Sequence, residues 1–211
     1  MTATARRPDA PGRRARPPRR AGESRLLNAA VGLVLVGAAI GLQAMDLSHN
    51  EYTAPLTYTG DLGKDIDATR FVVRVNSVTA AKAVQHRSDT VKTDHLFLIV
   101  DVSAKSKLQP YKLGPAVLLT ADGRKFSATD RVDSSLSITS KWVQPDIWAR
   151  GPYFFEVPAS ALPGARVVVG LPPTALVEPY QPEAEIDLAV DAAAARKLAD
   201  SAPDVHSTDA K

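Results

Sequence analysis

Histidine is the residue best suited to metal binding or proton transfer in this chain, and it occurs at His49, His86, His95 and His206. His86 and His95 flank a predicted loop and can approach each other, but a zinc site needs a third protein ligand. The chain has no cysteine, so thiolate catalysis, disulfides and cysteine-bound zinc or lipid are excluded. It also lacks the Gly-x-Ser-x-Gly sequence of many hydrolases. We therefore predict no enzymatic activity, no metal and no cofactor.

Carboxylates offer two alternatives to that prediction. Asp61, Asp65 and Asp67 lie close together in GDLGKDID, and clustered oxygen ligands suit calcium. Their spacing is not that of an EF-hand loop, and solvated acidic side chains explain it equally. Asp101 and Glu156 lie on predicted strands, where a facing pair of acids would suit glycoside hydrolysis. Acids on strands more often face solvent.

Aromatic residues are concentrated in one segment, KWVQPDIWARGPYFF. Five of the twelve aromatics of the chain occur there, and Trp142, Trp148 and Tyr153 are the candidate partner surface. Tryptophan and tyrosine are enriched at interfaces, although they also pack in cores and at their rims. Pro145 and Asp146 predict a turn just before Trp148, which favours a rim position for Trp148 and a more exposed position for Trp142.

Three functions remain open from these residues. The first is a non-enzymatic interaction module that docks an envelope or membrane protein. The second is an envelope protein that binds a glycan, lipid or ion, and the third is an enzyme. A pocket with convergent polar groups favours the second or third function, whereas an exposed aromatic face favours the first.

The N-terminal region carries most of the positive charge. Residues 1–25 contain eight arginines against Asp9 and Glu23, a net charge of +6, which leaves −3 for the rest of a chain whose net charge is +3. This Arg/Pro-rich tail is too poor in apolar residues to form a core and is predicted to be disordered. Because the remaining chain is mildly acidic, nucleic-acid binding is not expected.

Residues 26–45, LLNAAVGLVLVGAAIGLQAM, contain no charge. At about 1.5 Å per residue they would span about 30 Å, the thickness of the hydrocarbon core, and we predict a transmembrane helix in contact with membrane lipid. The arginines before it predict a cytoplasmic N-terminus, a single pass through the cell membrane and an extracytoplasmic C-terminal domain. A cleavable signal peptide is the alternative, with cleavage after Gly41 or Ala44.

The rest of the chain predicts a mainly β fold. Residues 46–66 contain Pro55, Gly60 and Gly63 and are predicted to form a stalk, with a short strand at 56–59. Residues 67–190 hold alternating apolar strands separated by turn residues, which indicates a β-sandwich. Residues 191–211 are predicted to form a short helix, which Asp191 caps, followed by a frayed tail. The predicted strands are 70–78, 95–102, 116–120, 125–128, 151–157, 165–171 and 185–190.

Residues 66–171 resemble a known family. The segments that carry the resemblance are FVVRVNSV, HLFLIVDVSAKS, the Asp-Gly turn before Lys125-Phe126, and the strand that ends in FEVP. They resemble an immunoglobulin-like domain of unknown function that occurs in bacterial surface lipoproteins and membrane-anchored proteins, sometimes labelled telomeric repeat-binding factor 2. The resemblance implies an immunoglobulin-like β-sandwich that serves as an extracytoplasmic binding or interaction module, and it implies no catalytic residue.

Overall fold

The computed structural model describes residues 23–45, 54–172 and 179–208. These residues form two α-helices, ten β-strands and three short 3-10 helices. Residues 1–22 of the tail predicted at 1–25, residues 46–53 of the predicted stalk and the last residues at 209–211 lie outside the described residues. The helices and strands are α1 (Glu23–Met45), β1 (Leu56–Asp61), β2 (Ile66–Asp67), β3 (Phe71–His86), β4 (Asp89–Ser106), β5 (Val117–Leu119), β6 (Lys125–Ser127), β7 (Ala149–Val157), β8 (Arg166–Gly170), β9 (Pro182–Asp187), α2 (Ala192–Asp200) and β10 (His206–Ser207).

The predicted transmembrane helix is corrected by the structure. Residues 26–45 are helical within α1, yet no helix among the described residues is long and apolar enough to cross a membrane. The prediction of a single-pass transmembrane helix, with the localisation and orientation that depend on it, is therefore wrong. Lipid contact through 26–45 stays a prediction.

The β-strands form two sheets, and the mainly β two-sheet architecture predicted from the sequence is confirmed. The first sheet, called sheet A, has the order β1-β9-β8-β5-β6. The second, called sheet B, has the order β10-β3-β4-β7, with β2 added beside β3. The long strands β3 and β4 form an antiparallel hairpin, and β7 pairs with the other edge of β4.

The main core lies between the two sheets, because alternate side chains of each strand point toward the other sheet. The buried positions follow this period of two in the first part of β3 and in β5, β8 and β9, and the largest buried side chains are aromatic or branched. Sheet B contributes Val73, Val75, Leu98, Val100, Tyr153 and Phe155, and sheet A contributes Leu118, Val167, Val169 and Ile186.

A second, smaller apolar cluster covers part of the outer face of sheet B. Residues 129–141 cross this face and place Val132 against Phe97, Ile99 and Phe154. β7 is therefore buried on both faces in this region, so Phe154 and Phe155 are both in apolar cores although they point in opposite directions.

Two sequence predictions concern the short strand within the stalk and the C-terminal helix. The predicted short strand at 56–59 is confirmed as β1, which pairs in parallel with β9. Part of the predicted stalk is thus a strand of sheet A. The C-terminal helix is confirmed as α2, and the Asp191 carboxylate accepts hydrogen bonds from the amides of Ala193 and Ala194.

Candidate functional site

Two loops at one end of sheet B are hydrogen-bonded to each other. They are residues 106–111, which begin at the last residue of β4, and residues 142–148, which precede β7; we call them the paired loops. The Tyr111 amide donates to the Val143 carbonyl at 3.0 Å, and the Val143 amide donates to the Tyr111 carbonyl at 2.8 Å. The Ser106 amide also donates to the second loop. These main-chain bonds hold the two loops together as one surface.

A tight turn within the second loop directs the aromatic side chains outward. Gln144 forms an isolated antiparallel bridge with Ile147, and Asp146 between them has a φ of +57°. Aspartate tolerates this left-handed conformation better than most residues. The Asp146 amide donates to the Ser106 carbonyl, which fixes the turn against the first loop. The turn predicted at Pro145 and Asp146 is therefore confirmed.

Exposed apolar side chains are concentrated on the paired loops. Outside α1, seven large apolar side chains of the described residues are exposed, and four of them are on these loops. The other three lie outside these loops. We call the four together the tryptophan surface: Leu108 (87% exposed), Trp142 (60%), Ile147 (64%) and Trp148 (39%).

Trp148 is flanked by cations from the outer face of sheet B. The Arg74 guanidinium lies 5.1 Å from the ring centroid and the Lys105 ammonium 5.4 Å from it. Each cation also contacts a carboxylate: Arg74 Nε lies 2.5 Å from Asp65, and Lys105 Nζ lies 3.6 Å from Asp146. The indole is thus held by its neighbours, so little side-chain freedom remains to be lost when a partner binds.

Trp142 is more exposed and has a different cation. The Lys112 ammonium lies 5.5 Å from its ring centroid. Across the described residues, Lys112 forms no ion pair, so its charge is available to an acidic group. Trp142 also borders a groove of about 300 Å³ whose walls include Pro110, Tyr111 and Leu171.

Tyr153, the third residue of the predicted partner surface, is fully buried. Its hydroxyl donates to the Gly114 carbonyl at 2.9 Å, and burial raises its pKa. The structure therefore exposes Trp142 and Trp148 on the paired loops and places Tyr153 in the core between the sheets.

The position of Trp148 at the rim predicts an intermediate effect on stability. Trp148→Ala should lower the free energy of unfolding by about 1–2 kcal/mol, because it removes half-buried packing and two cation–π contacts. Trp142→Ala should change it by only about 0.5 kcal/mol, since most of that ring is in solvent. Urea denaturation of both variants measures the difference. A loss of about 3–5 kcal/mol for Trp148→Ala would show that this ring is a core residue.

The predicted calcium cluster is occupied by ion pairs. Asp65 contacts Arg74, while Asp67 accepts a 2.7 Å bond from Lys107 that lowers its pKa. Within residues 23–45, 54–172 and 179–208, no group of three or more His, Cys, Asp or Glu side chains could hold a metal ion.

The remaining candidates from the sequence are two histidines and two strand carboxylates. His86 Nδ1 lies 3.1 Å from the Thr208 hydroxyl, and the exposed His95 is on β4. Asp101 pairs with Arg150, while Glu156 pairs with Arg131. Asp101 is opposite Pro152 in the register of β4 and β7, four residues before Glu156. At about 3.3 Å per residue the two acids lie about 13 Å apart along the strand, beyond the separation of roughly 5–9.5 Å that glycoside hydrolysis uses.

The fold and this surface define a mainly β, two-sheet module with an exposed aromatic and cationic patch. No protein-family model matches the chain, and no curated protein matches it. Its fold is similar to that of a candidate lipoprotein from Bacillus subtilis, with a TM-score of 0.41 and 22% identity over 62% of this chain and 40% of that one. It is also similar to an uncharacterised β-sandwich protein from Clostridium difficile, with a TM-score of 0.41 and 10% identity over 64% of this chain and 96% of that one.

This chain therefore spans about two fifths of the Bacillus structure that it matches. At these scores the two structures assign no ligand, partner or activity to it. Of the resemblance predicted from the sequence, the coarser part, a two-sheet β fold, is confirmed by the strands themselves.

Sequence reasoning missed several residues of the tryptophan surface. Leu108 is an isolated leucine among polar residues in KSKLQPYK, and an apolar residue between turn-forming neighbours was the available signal. Arg74, Lys105 and Lys112 come from other segments of the chain. Their proximity to the tryptophans depends on sheet register, which a single sequence does not specify.

Proposed function

We propose that this protein is a non-enzymatic interaction module whose tryptophan surface binds a partner protein. The observation that carries the proposal is the concentration of four exposed apolar side chains on two loops that are hydrogen-bonded to each other. Contiguous apolar groups rimmed by polar residues mark interaction sites on proteins that otherwise expose such residues singly.

The composition of the surface supports binding to a protein. Tryptophan and arginine are the residues most enriched among those that dominate binding energy, and they act best when packed against neighbours beforehand. Trp148 has this support from Arg74 and Lys105, and the paired loops hold the main chain on either side. Leu108, Trp142 and Ile147 supply the most accessible apolar area.

The charge around the surface indicates what the partner presents. Asp65 and Asp146 neutralise the cations beside Trp148, whereas Lys112 beside Trp142 has no carboxylate among the described residues. A partner with an apolar patch next to an acidic side chain would fit this arrangement. The envelope or membrane protein expected from the sequence remains the predicted partner class.

Site-specific crosslinking in the native cell tests the proposal. A photoreactive benzoylphenylalanine in place of Ile147 should yield one major protein adduct after illumination. The same residue in place of Leu56, which is exposed on β1, is the matched control and should not yield that adduct. Identical adducts from both positions, or no adduct from position 147, would contradict the proposal.

A further inference from the structure

A second site lies on the outer face of sheet B, in a cleft of about 510 Å³. One wall is the 3-10 helical segment of residues 134–141, and the opposite wall is β10. The floor is formed by side chains of β3, β4 and β7. This volume is within the roughly 300–1,000 Å³ range of pockets that hold small molecules.

The lining of the cleft is divided into an apolar part and a charged part. Ile99, Phe154 and Leu136 supply apolar surface, and the first two belong to the smaller core under residues 129–141. Polar side chains converge at the other end, where Lys141 and Arg150 supply positive charge. A cleft of this kind matches a molecule that is itself apolar at one end and charged at the other.

The charge balance of the cleft favours an anion. Asp101 is the carboxylate of the lining, and it is already bound to Arg150 Nε at 2.7 Å and to Asn76 Nδ2 at 2.9 Å. The Lys141 ammonium donates to the Arg150 carbonyl at 2.5 Å and has no carboxylate partner in the described part of the chain. It therefore retains a full charge and further donors. His206, whose pKa burial lowers, is neutral at pH 7 and does not change this balance.

The main chain holds Lys141 in this position. Gly151 on β7 lies so close to the 3-10 helical wall that a Cβ atom there would meet Ile138 N at 2.9 Å and Ile138 Cα at 3.0 Å. Close packing of these two backbones fixes the segment that ends at Lys141. The cation is therefore positioned by the fold at the mouth of the cleft.

We propose that this cleft binds a small amphiphilic anion, with its carboxylate or sulfonate at Lys141 and its apolar body over Ile99, Phe154 and Leu136. The site is separate from the tryptophan surface and does not depend on its function. It gives a structural location to the small-ligand binding that the sequence left open as an alternative.

Titration of the full chain with octanoate tests this assignment. Chemical shifts of the backbone amides of Leu136, Lys141 and His206 report on the cleft and distinguish it from any other apolar surface. Octanoate should shift these amides with about tenfold higher affinity than octanol, and octyltrimethylammonium should not shift them.

Three variants and one control separate charge from shape. Lys141→Gln should reduce octanoate affinity about tenfold, to the level of octanol, which corresponds to about 1.4 kcal/mol. Thr79→Trp, at an exposed position of the floor, should abolish binding by filling the cleft, and Leu136→Glu should do so by repelling the anion. Lys125→Gln on β6 is the matched charge control and should leave the affinity unchanged.

Two results would overturn the proposal. The first is the absence of shifts at these amides up to the solubility limit of octanoate. The second is octanoate binding that Lys141→Gln leaves unchanged or that survives both Thr79→Trp and Leu136→Glu. Melting curves identify any variant that fails to fold. Because Thr79→Trp changes the floor and Leu136→Glu changes a wall, either one that folds is sufficient to test whether octanoate binds in the cleft.

Discussion

Replacing Tyr153 by alanine should lower the free energy of unfolding by about 3–5 kcal/mol, as expected for a large aromatic side chain in a core. Its ring is fully buried and lies 6.4 Å from that of Phe155, so its removal leaves a cavity that the two sheets cannot fill. Tyr153→Phe keeps the ring but leaves the Gly114 carbonyl without its donor, and should cost about 1–3 kcal/mol. Urea denaturation at pH 7 measures both variants.

The raised pKa of Tyr153 adds a pH dependence to this comparison. The unfolded chain ionises this tyrosine above about pH 10, whereas burial keeps it protonated in the folded chain. The unfolded state then binds fewer protons than the folded state, so stability falls as the pH rises above about 10, by about 1.4 kcal/mol per pH unit from this residue. Relative to wild type, Tyr153→Phe should therefore lose less stability between pH 7 and pH 11. Equal losses for the two proteins would show that the hydroxyl is in solvent.

Removing two side chains of the tryptophan surface should weaken partner binding at least 30-fold while leaving the fold intact. Trp142→Ala combined with Ile147→Ala removes two of the four exposed apolar side chains of the paired loops. Residues that dominate an interface contribute 2 kcal/mol or more, about a 30-fold change in Kd. The affinity for the crosslinked partner, measured by calorimetry with purified proteins, gives the effect.

The control for this variant uses two other exposed apolar residues. Leu56→Ala combined with Tyr180→Ala removes side chains that are 47% and 42% exposed and lie outside the paired loops. Binding should be unchanged in this control. If both double variants bind equally well, the tryptophan surface is not the site; if both bind equally poorly, binding depends on general apolar area.

The strands of the sandwich are predictable from the sequence because their alternation is local. Val73, Val75, Leu98 and Val100 follow the period of two that a half-buried strand requires, and the Asp122-Gly123 turn separates two short strands as expected. The partnership of β1 with β9 is not predictable, since Thr57 and its partner Glu183 are separated by 126 residues.

Tyr153 shows why the candidate surface could be predicted only in part. In GPYFFEV every aromatic is a plausible surface or core residue, and the sequence does not reveal that residues 129–141 cover the outer face of β7. Trp142 and Trp148 were predictable because a proline and an aspartate mark the turn between them. The cleft beside Lys141 was not, because its lining comes from segments as distant as Ser77 and Thr208.

Hydrogen exchange of the protein with and without its crosslinked partner is the most direct measurement of the central claim. Binding at the tryptophan surface should slow exchange of the amides at residues 106–111 and 142–148, while the amides of β1 and α2 keep their rates. Protection confined to other segments, with these two loops unchanged, would contradict the assignment of this surface as the binding site.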